Sequence, residues 1–93
     1  MEIRNIIVSE FNKDDQIEIL HRVCIYMIEN DYTATYHKYK YMYNLSIFEY
    51  GNLKLNIEYD EKNRVFNIYN VSFEEGILNT IEDIINRDVD LEG

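Results

Sequence analysis

Ninety-three residues, 46% of them hydrophobic and including nine tyrosines and four phenylalanines, can build one core and not two, so the expectation is a single globular domain over residues 1–93. Eighteen acids against nine bases leave a net charge of −9, which weighs against direct binding to DNA, RNA or an anionic membrane and favours a basic protein partner. One cysteine permits no intramolecular disulfide, and no apolar run reaches the roughly 20 residues of a membrane span, so a reduced, soluble, cytoplasmic protein is expected.

In chain order, Ile3, Ile6, Ile7 and Val8 form a β-branched cluster that reads as a strand within Met1 to Ser9, the alternative being an irregular lead-in. A helix then starts near Lys13, with Asn12 as its N-cap and Asp14 and Asp15 in its first turn, beside the positive end of the helix dipole. Ile17, Leu20, Cys24, Met27 and Ile28 recur at helical spacing, and Ile19, Val23, Ile25 and Tyr26 widen the stripe until the helix needs cover on more than one side. Asn30-Asp31 ends it.

Tyr32 to Tyr43, five tyrosines with Thr, His and Lys between them, reads as a strand that bends or turns before Asn44. Gly51-Asn52 is a hairpin signal that sets Tyr50 opposite Leu53 and Phe48 opposite Leu55, with Ser46 and Ile57 also on the buried side. A second loop, Asp60 to Asn63, sets Ile57 opposite Phe66 and Leu55 opposite Ile68, again on that apolar face, and leaves Glu58, Val65, Asn67 and Tyr69 on the other. Ser72-Phe73-Glu74-Glu75 reads as a capping box that starts a helix at Phe73, lined inside by Ile77, Leu78, Ile81, Ile84 and Ile85, with a fraying acidic tail. The expected fold is α+β: a long N-terminal helix and a C-terminal helix packed on one face of a 3–4-stranded antiparallel sheet, in the order β-α-β-β-β-α.

The order helix, three strands, helix resembles that of double-stranded-RNA-binding domains. Their basic helix start is replaced here by Glu74 and Glu75, and no RNA-binding role follows.

Few residues suit catalysis. Glu18 and His21 have the Glu-x-x-His spacing of di-iron bundles, but His37, on a strand, is the one other histidine, so no metal site is expected. Cys24 on the apolar stripe reads as a packed thiol, adjacent carboxylates on a helix diverge by about 100°, and no Gly-rich phosphate loop exists. Neither enzyme activity nor a cofactor is expected.

Two surface features remain. Glu74, Glu75, Glu82 and Asp83 form an acidic helix in which Glu75 and Glu82, seven residues apart, share a face about 10.5 Å apart along the axis. Such a row can imitate a phosphate backbone. Tyr36, Tyr39, Tyr41 and Tyr43, with His37, Lys38 and Lys40, form an acid-free stretch of the kind that interfaces enrich, with Tyr36, Tyr39 and Tyr41 as the candidate anchors, and its strand could also pair with its twin to make a dimer. The expectation is a small non-enzymatic inhibitor that occupies the nucleic-acid-binding surface of a basic target, the strategy of phage anti-defence proteins, anti-CRISPR proteins among them, steered by the acidic helix and anchored by the tyrosines. Alternatives are an immunity protein or antitoxin against a basic nuclease toxin, and a dimeric structural or adaptor module.

Overall fold

The computed structural model describes the backbone of residues 2–7 and 13–92 and the side chains of residues 2–6 and 16–86. Asn12, Val8 and Ser9 lie outside the described residues, as do the side chains of Asp14 and Asp15. The order is β1 (Glu2–Ile7), α1 (Lys13–Glu29), β2 (Thr33–Tyr39), β3 (Met42–Glu49), β4 (Asn52–Asp60), β5 (Val65–Asn70) and α2 (Glu75–Glu92). All five strands join one antiparallel sheet in the spatial order β1-β5-β4-β3-β2, so β1 and β2 are its edges.

The core lies between one face of that sheet and both helices. Tyr43, Leu45 and Ile47 of β3, Leu55, Ile57 and Tyr59 of β4, and Phe66 and Ile68 of β5 meet Ile19, Leu20, Val23 and Met27 of α1 and Leu78, Ile81 and Ile85 of α2. Period-two burial on β3, β4 and β5 follows from the pleat, with every second side chain turned to the helices. Nothing described covers the opposite face, where Asn56 donates to Ser46 and Asn67 and Tyr69 donate to Glu58.

The expected architecture holds, with four corrections of detail. First, the sheet has five strands, because Tyr32 to Tyr43 is not one strand: the chain turns at Lys40-Tyr41 and returns as β3. No Gly, Pro, Asn or Asp marks that turn, and Lys40 itself adopts a φ of 54°.

Second, the next hairpin turns at Tyr50-Gly51 and not Gly51-Asn52, with φ of 51° and 80° at the two residues, the signature of a type I′ turn. Glu49 therefore faces Asn52, and after a bulge at Ile47/Phe48 the pairs become Ile47 with Leu55 and Leu45 with Ile57. A slip of one residue swaps the faces of a strand, so Ile47 is buried where Phe48 and Ser46 had been expected. Third, the β4–β5 register is two residues away from expectation, pairing Ile57 with Ile68 and Tyr59 with Phe66. A slip of two preserves the face, and Leu55, Ile57, Phe66 and Ile68 are all buried.

Fourth, α2 begins at Glu75, two residues late, and continues through Glu92 where the tail had been expected to fray. The capping box does not form: the buried Asn70 side chain accepts from the Phe73 amide at 2.9 Å and donates to the Phe73 carbonyl at 3.1 Å, closing the approach to the helix, while Glu75 is drawn to Arg4. At the other end of α1, Asp31 with φ 69° takes the position usually given to glycine. Its amide donates to the Ile28 carbonyl and the Tyr32 amide to the Met27 carbonyl, the pattern of a Schellman motif.

Candidate functional site

Arg4 organises one edge of the molecule. β1 pairs with β5 so that Arg4 stands beside Ile68 on the helix side of the sheet, and from there its guanidinium reaches α2. Nε donates to Glu2 at 2.7 Å, Nη2 donates to both carboxylate oxygens of Glu75 at 2.6 and 2.7 Å, and Nη1 lies 3.1 Å from Glu82. Those bonds, that to Glu2 first, hold the guanidinium charge well beyond the neutral range. Three carboxylates around one cation leave this corner net negative. Glu75 and Glu82 do share a helix face, as their spacing implies, but that face is turned to β1 and Arg4 binds both. Glu74 and Asp83 flank the pair and are exposed.

The sequence reading overlooked Arg4. The available signal was its phase: in EIRNII, Arg4 alternates with Ile6 onto the inward side, where an arginine requires a carboxylate partner.

The tyrosines occupy the other edge. Four interstrand spacings of about 4.8 Å separate β1 from β2, so the Arg4 corner and the tyrosine strand are roughly 19 Å apart. Nor do the three tyrosines share a plane. Tyr36 stands on the helix side beside Leu45, its ring 6.5 Å from that of Tyr43; Tyr39 stands on the open side beside Met42; Tyr41 lies in the turn between them. All three are exposed, as are His37, Lys38 and Lys40, whereas Tyr43, the fourth tyrosine of the stretch, alternates onto the helix side and is buried in the core. The structure thus places Glu75, Glu82 and Asp83 on α2 with Glu74 just before it, and wraps Tyr36, Tyr39 and Tyr41 around one edge, without bringing the two groups together.

Beside β2 runs a groove of about 230 Å³, lined by Ile17, Leu20, His21 and Cys24 of α1 and by Tyr36. Burial pushes the Cys24 thiol up, keeping it protonated at neutral pH and unreactive as a nucleophile. Glu18 pairs with Arg22 at 3.9 Å, and His37 is on the open side of the sheet, away from His21. Among the described residues no three His, Cys, Asp or Glu side chains cluster as a metal would need.

A second hollow, also about 230 Å³, lies where two turns meet, lined by Tyr39, Lys40, Tyr41, Met42, Asp60, Lys62 and Asn63. The Glu61 amide donates to the Tyr41 carbonyl at 2.8 Å, and the Tyr43 hydroxyl donates to the Glu61 carboxylate at 2.9 Å, joining the β2–β3 turn to the β4–β5 loop. Burial pulls the Asp60 carboxyl up, but hydrogen bonds from Asn63 and Lys62 outweigh it and hold the group below its ordinary range, so its charge is spent inside the loop.

No helix among the described residues is long and apolar enough to cross a membrane. No protein-family model, curated protein or solved structure matches the chain.

Proposed function

We propose that this chain is a small non-enzymatic binding protein that acts in the cytoplasm on a basic, nucleic-acid-binding partner, occupying the surface that partner uses for nucleic acid. The observation that carries the reading is the Arg4 corner. A guanidinium that grips Glu2, Glu75 and Glu82 fixes a row of carboxylates before any partner arrives, and the row keeps an excess of negative charge. Carboxylates already ordered lose little side-chain entropy on binding, whereas a freely rotating glutamate loses about 0.5–1.5 kcal/mol. Glu74 and Asp83, exposed neighbours of the pair in sequence, add negative charge beside the row, and the net charge of −9 steers a basic protein towards it. The acidic helix therefore leads the contact. Tyr36, Tyr39 and Tyr41, on the far edge, are released from the anchoring role.

The test is capture from host-cell lysate on the immobilised protein, with bound material released by rising salt or by added duplex DNA or RNA. A basic nucleic-acid-binding protein that elutes with nucleic acid supports the reading. Glu74→Lys combined with Asp83→Lys, which leaves the Arg4 contacts in place, is expected to lose that protein. Retention at the parental level would sink acidic occupancy.

A further inference from the structure

We infer that the β2 edge is the seat of a second copy of this chain, joined by antiparallel β2–β2 pairing into a continuous sheet, with the two α1 helices side by side on one face. This inference stands independently of the acidic corner.

β2 is a seven-residue edge strand with regular pairing along its inner side, no proline and no bulge, so its outer row of backbone groups is open to another strand. Natural edges of this length are normally blocked. β2 carries one blocking charge, Lys38 on its helix side, and the uncovered flank of the neighbouring helix favours pairing against it. On α1, Ile17, His21, Cys24 and Ile28 follow one another at spacings of three and four, so they lie along one flank, and the first three border the groove beside Tyr36. Ile28 is 54% exposed and Tyr36 47% exposed. This flank is the part of the broad apolar stripe that the sheet does not cover.

Geometry selects a twin over an unrelated strand. A two-fold axis through antiparallel edge strands stands perpendicular to the sheet and keeps both helix layers on the same face. Since α1 rests against β2 and β3, an axis above the gap between those strands would lie half a strand spacing inside β2. Two such half-spacings and one new strand spacing put the paired α1 axes about 10 Å apart, which is the distance of packed helices. The uncovered flank would then meet its own copy, and Tyr36 would close the groove from both sides.

Charge agrees. Centring the axis on Tyr36, the middle of β2, gives full overlap and places Lys40 of each copy beside Tyr32 and Asp31 of the other. Lys38, on the helix side of β2 with its ammonium 5.4 Å from the centre of its own Tyr43 ring, comes near the last turn of the other α1, a helix end with no basic residue of its own to offset its dipole. No acid lies on β2, so no carboxylates oppose one another across the axis.

The experiment is sedimentation equilibrium of the full chain across about 1–200 µM, the range in which weak to moderate self-association is read. A monomer–dimer equilibrium is expected, and a monomer at every concentration overturns the inference. Ile28→Glu and, separately, Asp31→Lys are each expected to weaken the dimer about tenfold or more, with an unchanged circular dichroism spectrum. Adding Lys40→Asp to Asp31→Lys restores the opposite charges and is expected to recover dimerisation. A dimer indifferent to Ile28→Glu and Asp31→Lys would use another face, and an extended peptide that bound β2 of a purely monomeric chain would make the occupant a foreign strand; either result defeats the proposal.

Discussion

Gln16 sits on the inner face of α1 with no exposed surface, and neither its Oε1 nor its Nε2 has a hydrogen-bonding partner among the described residues. An unmade hydrogen bond in the interior costs about 1–3 kcal/mol, so a leucine of similar volume should be better tolerated than the native residue. Gln16→Leu is expected to raise the melting temperature measured by circular dichroism, by about 4–8 °C per kcal/mol in a domain this small. A lower melting temperature would mean that the amide is satisfied in solution. Tyr43 is buried and its hydroxyl is satisfied: burial first, and the bond to Glu61 second, push its pKa up to about 12. The folded protein therefore holds the phenolic proton more tightly than the unfolded chain, whose tyrosines titrate near the ordinary value of about 10. This contribution to stability is complete below pH 10 and is lost as pH rises from about 10 towards 12. Replacing Tyr43 by Phe is expected to flatten the loss of stability over that interval in urea titrations; an unaltered slope would assign alkaline unfolding to other groups. Cys24 was legible as a packed thiol from its phase on the helix, whereas the roles of Gln16 and Arg4 depend on what faces them from other elements.

At the scale of elements, the apolar faces of β4, β5 and both helices were legible because alternation and helical periodicity survive small errors of register. The β3 face was not. Its assignment depended on which two residues turn, and glycine next to asparagine drew the turn to Gly51-Asn52 when the chain turns at Tyr50-Gly51. Tyr50 accepts a left-handed conformation there while remaining 95% exposed, so it gives up burial. A type I′ turn favours Asn-Gly at its centre. Tyr50→Asn is accordingly expected to stabilise the hairpin by about 0.5–1 kcal/mol in chemical denaturation, the cost of a left-handed position borne by a residue that does not favour it. A destabilised variant would show that the Tyr50 ring has a packing role. The β2–β3 turn was illegible for a related reason: Lys40 and Tyr41 carry no turn chemistry, and the strands on either side hold them there.

Over the whole molecule, the two features that marked a binding surface prove to be separate. The acidic residues belong to α2, its approach and the β1 edge, and the tyrosines to β2 and the turn that follows it, at opposite edges of the sheet. Two copies joined at β2 would carry two acidic corners at the far ends of one long sheet, allowing a bivalent grip on a partner with repeated basic sites. Chain length and the periodicity of apolar residues sufficed by themselves to establish an α+β domain with two helices on one face of an antiparallel sheet, because burial of apolar surface depends on pattern, which a register shift of two residues leaves intact. Tertiary structure alone decided the number of strands, the edges of the sheet, the Arg4 clamp on Glu75 and Glu82, and the distance between acids and tyrosines. Each of these depends on which strand lies beside which, and that neighbourhood is set by long-range pairing that no local stretch of sequence encodes.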